Sequence, residues 1–216
     1  MTLTILICVH STNDFYDMLL NKSILSLVNQ TYKNFKTIIV LDECWDKTKE
    51  MIESSNYYLD LTILTRDKKE GLSYAKNFGL QYVDTEWVGF LDADDLYLPT
   101  KLEQQVNYIQ NNDVDFLGTH CWNINSTDDD SLFPSCFDNN HNVTHLEISN
   151  KIFTENVLTH GSMLIKKQSI IDLGGYQNIR GMEDWDLWKR AINGGYKFYQ
   201  IPERLYVYRL NTSVTR

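Results

Sequence analysis

One acidic run in this chain has the make-up of a cation site: Asp92-Ala93-Asp94-Asp95, which follows the apolar stretch 87–91 and precedes Leu96-Tyr97-Leu98-Pro99. Carboxylates are hard oxygen ligands, and at the end of a buried strand they suit Mg²⁺ or Mn²⁺ bridging phosphates. The same run also reads as a solvated turn or, through Asp95, as a helix cap. Other polar residues stand in comparable places, with His10 to Asn13, Asp42 to Asp46 and Arg66 to Gly71 each following an apolar run. A second acidic pair, Glu183-Asp184, opens an amphipathic stretch containing Trp185, Leu187, Trp188 and Ala191. There, capping and the helix dipole provide a structural reading.

These groups can meet only if a scaffold brings their segments together. Short β-branched runs at 3–9, 35–41, 61–65, 87–91 and 115–119 alternate with helical spacing in Leu19, Leu20, Ile24, Leu27 and Val28, and in Leu72, Ala75, Phe78, Gly79 and Tyr82. That alternation predicts an α/β fold, with a mostly parallel, Rossmann-like central sheet flanked by helices. Ligands of open α/β sheets bind beyond the carboxyl ends of the strands, where the polar clusters above fall. The second half is less regular. Residues 123–142 are polar, include Asp128-Asp129-Asp130, and are expected to form a mobile loop. Structure is expected to resume near Gly161, with a strand over 163–165, a helix over 182–193 and a hairpin or paired strands over 196–208. No repeat or linker divides the 216 residues, so a single domain is expected.

A formal charge of −9 argues against nucleic acid as a partner, because that affinity rests on Lys and Arg neutralising phosphates. A nucleotide diphosphate is compatible with an acidic pocket, since a bound cation supplies the missing positive charge. Cys8, Cys44, Cys121 and Cys136 form no C-x-x-C pair, which argues against zinc and a disulfide framework; they are expected to be reduced and mostly buried. The apolar run 3–9 lacks a basic leader and cleavage site and reads as a strand, and no stretch approaches the ~20 apolar residues of a membrane span. The expectation is a cytoplasmic protein without a transmembrane segment, with peripheral membrane association left open. The five Asn-x-Ser/Thr sequons, at Asn21, Asn29, Asn125, Asn142 and Asn211, are then compositional.

Five segments occur in an order that resembles the family 2 glycosyltransferases of the glycosyltransferase A fold, over essentially the whole chain. They are TILICVHS at 4–11, SILSLVNQTYKNFKTIIVLDE at 23–43, GLSYAKNFGL at 71–80, WVGFLDADDLYLP at 87–99 and MEDWDLWKRAINGGYKFYQIPERLYVYR at 182–209. The resemblance implies metal-dependent, inverting transfer of a sugar from a nucleotide-diphosphate donor, a UDP-sugar above all, in polysaccharide biosynthesis. The acceptor would be a hydroxyl of a glycan, a lipid-linked molecule or another acceptor. It also implies one catalytic domain over 1–216, with 1–119 binding the nucleotide sugar and 120–216 forming an irregular acceptor side.

Residue by residue, Asp42 matches the position that accepts a hydrogen bond from the donor base, such as N3–H of uracil; the alternative is an N-cap for a helix starting near Asp46. His10 lies beside it on the donor side. Asp92 and Asp94 match the DXD motif, with Asp94 as the direct Mn²⁺ or Mg²⁺ ligand and Asp92 nearer the ribose or a metal-bound water. Lys76-Asn77 match an Ala-Arg-Asn element, so Lys76 either steadies the diphosphate or is a solvated helix residue. Glu183 and Asp184 match an Glu-Asp pair in which Asp184 is the general base. Glu183, Trp185 and His160 fall on the acceptor side, although a lone His is also an ordinary hydrogen-bonded structural residue.

Two departures stand out. Glu43-Cys44 replace the Gly-Ser that usually follows Asp42, and Asn211 stands where a His often helps hold the metal, its amide carbonyl still able to coordinate a hard cation. Two rival readings are a nucleotidyltransferase, which would show a Gly- and basic-rich loop near the first strand, and a catalytically degenerate nucleotide- or glycan-binding module.

Overall fold

The structure, a computed structural model, describes residues 1–66, 70–125 and 143–210. Four strands, β1 (Leu3–Val9), β2 (Phe35–Asp42), β3 (Asp60–Arg66) and β4 (Trp87–Phe90), lie parallel in the order β3-β2-β1-β4. Helices α1 (Asp14–Val28), α2 (Asp46–Ser54) and α3 (Leu72–Leu80) make the connections between them. Side chains alternate across β1: Leu3, Ile5, Ile7 and Val9 pack into one core with Ile24 of α1, while Leu6 enters a second core with Ala75 of α3. Both faces are therefore covered, which is why these strands read as continuous apolar runs. β3, at the sheet edge, is the exception and alternates with exposed residues. Asn13 starts α1 by accepting the backbone N–H groups of Phe15 and Tyr16.

After β4 the chain forms β5 (Leu96–Tyr97), α4 (Lys101–Asn111), β6 (Phe116–Asn125) and α5 (His145–Lys151). A 3₁₀ turn at His160–Ser162 then leads to β7 (Leu164–Lys166), α6 (Lys167–Asp172), α7 (Glu183–Asn193) and β8 (Phe198–Leu210). The sheet order is β3-β2-β1-β4-β7-β6-β8-β5, with β7 antiparallel to β4 and β6, β8 parallel to β6, and β5 antiparallel to β8. The sheet is thus mixed, its parallel part concentrated in the first half.

Of the hairpin or paired strands expected over 196–208, no hairpin forms. β8 is a single 13-residue strand that runs along β6 throughout. Its register against β6 jumps from Thr119↔Ile201 to His120↔Arg204, so Pro202 and Glu203 bulge out. Pro202 has no N–H to give the ladder, and a bulge absorbs it without reversing the chain. The expected loop over 123–142 begins later than its polarity suggests, because β6 takes in 123–125; residues 126–142 lie outside those described. Of the three described cysteines, Cys121 is buried and Cys8 and Cys44 are half-buried, none in a disulfide. Cys136 lies outside the described residues. Among the described residues, no helix is long and apolar enough to cross a membrane.

Candidate active site

The carboxyl ends of β1, β2 and β3 bring His10, Asp42 and Arg66 together. Parallel register sets Asp42 directly beside Arg66, and Arg66 Nη1 lies 3.3 Å from Asp42 Oδ1. His10 Nδ1 hydrogen-bonds the Asp42 carbonyl oxygen at 2.8 Å. The capping alternative for Asp42 does not hold, because α2 has Trp45 at its N-cap and no side-chain cap bond. Arg66 also pairs with Glu70 and lies over the Phe78 ring, so its guanidinium is held on three sides.

The segment after Asp42 is pinned by a residue the sequence reading passed over. Asp17, buried in α1, accepts hydrogen bonds from Ser11 Oγ at 2.7 Å, Thr48 Oγ1 at 2.7 Å and the Trp45 ring N–H at 2.8 Å. It ties the loop after β1 to the loop after β2. Its signal in the sequence was an Asp three residues into a helix, which is indistinguishable from an ordinary first-turn acid. Glu43 has φ 52°, the left-handed region that favours glycine.

The acidic run forms a turn off β4, in which Asp95 N–H bonds Asp92 O at 3.1 Å. Asp95 is no helix cap, since α4 begins only at Lys101. Its buried carboxylate accepts the Tyr206 hydroxyl at 2.5 Å and the Arg209 backbone N–H at 2.7 Å. Arg209 Nε donates to the Asp94 carbonyl at 2.9 Å, so the end of β8 grips this turn. Gly161 allows that grip, because a Cβ there would come within 1.9 Å of the Tyr206 hydroxyl. Asp92 is half-buried; loss of water raises its carboxyl to about 6, with the charges of Asp94, Asp184 and Glu183 adding to the rise and Lys76 opposing it.

Lys76 is not a solvated helix residue. It is 3% exposed, and its Nζ lies 3.1 Å from Glu183 Oε1 and 5.1 Å from the centre of the Tyr176 ring. The next residue, Asn77, clamps the loop before α7, exchanging two hydrogen bonds with Tyr176, from its Nδ2 to the carbonyl and to its Oδ1 from the N–H. Glu183, 7% exposed, is the first residue of α7, whose N-cap is Met182 with no side-chain cap bond. Asp184 is half-buried, and burial raises its carboxyl, with Lys76 pulling it back down and Glu183 pushing it further up. Trp185 turns its ring N–H to the Ile152 carbonyl and carries Lys189 Nζ 3.6 Å above its ring.

His160 sits under this cluster, 7% exposed, with Nε2 2.8 Å from the Tyr176 hydroxyl and its ring 4.4 Å from that of Phe90. Burial, and then the Lys76 charge, hold its pKa well below the usual value, so it is neutral. It is buried, packed against Phe90, Tyr176 and Trp188. Asn211 lies outside the described residues.

The gathered groups are therefore Asp92, Glu183 and Asp184 around the Lys76 ammonium, with Asp94 acting on Asp92 and the Asp42–Arg66 pair on the neighbouring strand ends. Among the described residues, no three His, Cys, Asp or Glu side chains form a group able to hold a metal ion alone.

Known proteins show the same architecture and family. The chain is 31% identical over 88% of its length to the uncharacterized glycosyltransferase MJ1057 of Methanocaldococcus jannaschii, spanning 66% of that protein. It is 28% identical over 99% of its length to the O-antigen biosynthesis glycosyltransferase WbnJ of Escherichia coli, spanning 82% of it. Staphylococcus aureus TarS 1-349 in complex with UDP-GlcNAc superposes with a TM-score of 0.78 at 15% identity, over 99% of this chain and 60% of that one. The Pyrobaculum calidifontis mannosyltransferase PcManGT in complex with GDP-Man and Mn²⁺ gives a TM-score of 0.70 at 17% identity, over 95% of this chain and 56% of that one. At such identities the two structures speak to the fold, a glycosyltransferase A-like sheet. The family model for Glycosyl transferase family 2 matches residues 4–174, and the chain belongs to that family.

Proposed function

We propose that this chain moves a sugar from a UDP-sugar to an acceptor hydroxyl in one inverting, divalent-metal-dependent displacement. Membership of the family favours glycosyl transfer over the nucleotidyltransferase alternative. The observation that supports the finer reading is the buried Lys76–Glu183 pair, 3.1 Å apart, which joins α3 to the start of α7 and sets an ammonium whose charge favours the ionised forms of Asp92 and Asp184. The turn after β4 and the start of α7 thus share one electrostatic site, as a donor and its attacking acceptor must.

In this reading, residues 1–119 form the donor half. Asp42 accepts an N–H of the base, His10 supports it from β1, and Asp92 faces the ribose. Among the described residues carboxylates outnumber the one ammonium here, and Asp94 carries hard oxygen donors of the kind that would suit Mg²⁺ or Mn²⁺. Such ions are commonly held by one or two carboxylates together with substrate phosphates, so a self-sufficient protein cage is not required. When bound, the cation supplies charge that offsets the leaving diphosphate. Lys76, anchored by Glu183, adds to that field.

Residues 120–216 form the acceptor half. Asp184 takes the proton of the acceptor hydroxyl while that oxygen attacks the anomeric carbon opposite the diphosphate. The bond from the anomeric carbon to the diphosphate oxygen breaks, and its electron pair leaves with UDP. One displacement inverts the anomeric configuration. Trp185 and Glu183 border the acceptor, and His160 acts from beneath through Tyr176. A nucleotide-sugar donor sets the reaction in the cytoplasm, and a glycan or lipid-linked acceptor, as the O-antigen role of WbnJ suggests, brings the protein to the membrane surface.

The test is a screen of UDP-glucose, UDP-GlcNAc and GDP-mannose for thermal stabilisation with and without Mn²⁺, followed by NMR of the product anomer. A UDP-sugar is expected to stabilise most, and only with Mn²⁺. Stabilisation by GDP-mannose alone would overturn the uridine assignment, and a product with retained configuration would overturn the single displacement.

A further inference from the structure

The two oxygens of Asp184 are held from different parts of the chain. Oδ1 accepts the backbone N–H of Trp185, the next residue in α7, at 2.7 Å. Oδ2 accepts the side-chain amide of Asn156 at 3.1 Å, from the stretch between α5 and the His160 turn. Asn156 is braced in turn, its Oδ1 accepting the Leu158 backbone N–H at 3.4 Å. The Trp185 ring N–H also donates to the Ile152 carbonyl, so the first turn of α7 is stitched to 152–158 at two points.

A carboxylate held through one oxygen still turns about its Cβ–Cγ bond, where the torsional preference is broad. A second donor on the other oxygen fixes the plane of the group, and so where its remaining lone pairs point. An amide N–H also favours the ionised carboxylate over the acid, because the negative charge makes both oxygens stronger acceptors.

We propose that Asn156 is a positioning residue for Asp184, fixing the carboxylate's rotation and favouring its ionised, proton-accepting form. This rests on the reading of Asp184 as the general base. The charged and titratable groups facing Asp184 come from its own helix and from other elements. Lys76 of α3 favours the carboxylate, Glu183 of α7 and Asp92 after β4 oppose it, and the Tyr176 phenol stands in the α6–α7 connection. Asn156 itself is uncharged, so removing it changes no formal charge in the site.

The experiment is an NMR titration of the Asp184 carboxyl in the full chain carrying ¹³C-labelled aspartate, with the resonance assigned by its loss in Asp184→Asn. Asn156→Ala is expected to raise the Asp184 pKa by about half a unit or more. Asn156→Leu keeps much of the side-chain volume without the amide and adds no charge, so it should raise the pKa likewise, and it carries the test if the alanine variant fails to fold. A merely structural contact would lower the melting temperature and leave the titration in place, and that result would overturn the proposal. Turnover of Asp184→Asn separates the two layers. If it is inactive while Asn156→Ala titrates like wild type, the positioning role alone fails; if it is active, the base reading fails and the positioning role with it.

Discussion

The Tyr206 hydroxyl donates to Asp95 Oδ2 at 2.5 Å, joining β8 to the acidic turn across 111 residues of chain. With the Arg209 backbone N–H on Oδ1 and Arg209 Nε on the Asp94 carbonyl, this contact holds the turn that presents Asp92 and Asp94. Tyr206→Phe removes one donor from a buried carboxylate and should cost about 1–3 kcal/mol. Urea unfolding measures that loss. Calorimetry of UDP with Mn²⁺ should show weaker binding in the same variant, and unchanged stability would show that Asp95 is satisfied without Tyr206.

Lys76 and Glu183 form a buried ion pair, so removing one partner costs more than removing both. Lys76→Met should destabilise by about 3–5 kcal/mol by leaving Glu183 uncompensated, whereas the double variant Lys76→Met, Glu183→Leu should recover much of that. A double-mutant cycle in denaturant checks the asymmetry, and additive losses would argue against the pairing. Neither variant should recover turnover, because the field on Asp92 and Asp184 is gone.

Glu43 occupies a left-handed backbone position with an exposed side chain. Glu43→Gly relieves that conformation and should raise stability by about 1 kcal/mol, less the entropy glycine adds to the unfolded chain. Its backbone N–H bond to the Arg66 carbonyl remains available. Equal or lower stability in chemical denaturation would mean that the glutamate side chain contributes a compensating contact.

UDP and Mn²⁺ should bind cooperatively, because the cation links carboxylate to diphosphate. Calorimetric UDP affinity should drop in EDTA and in Asp94→Asn, and rise in Asn211→His, which adds an imidazole. Equal affinity in EDTA and Mn²⁺ would remove the metal role assigned to Asp94.

Asp184→Asn should lower transfer by about 10²- to 10⁴-fold while UDP-sugar affinity stays near wild type, since Asn keeps the shape but is no base. The rate of the native protein should rise with pH through the Asp184 pKa, which lies above the usual carboxylate value. The sign follows from the role: a base works only when deprotonated, so acid removes activity and a raised pKa moves that loss toward neutral pH. Near-wild-type turnover of Asp184→Asn would shift the assignment to Glu183 or Asp186.

The order of β-α units, the strand ends where the polar clusters gather and the acidic run at the end of β4 were legible in the residues alone. Each is a local pattern: strand period 2, helix period 3.6, and a polar break after an apolar run report burial and direction over a few residues. Membership of the family was legible for the same reason, five short segments in order. The pairings Lys76–Glu183, Asp42–Arg66 and Asp95–Tyr206 were not, nor was the anchoring role of Asp17. They depend on strand register and on how α7 and β8 fold back over the first half, and a change of one residue in register would part them. Residue type left Lys76 open between a diphosphate contact and a solvated helix face, and Asp95 between a cation site, a solvated turn and a helix cap, because a sequence shows that a side chain is charged but not whether an opposite charge meets it inside. Packing decided that, since a buried charge persists only where a partner 107 or so residues away arrives to meet it, as Glu183 does for Lys76.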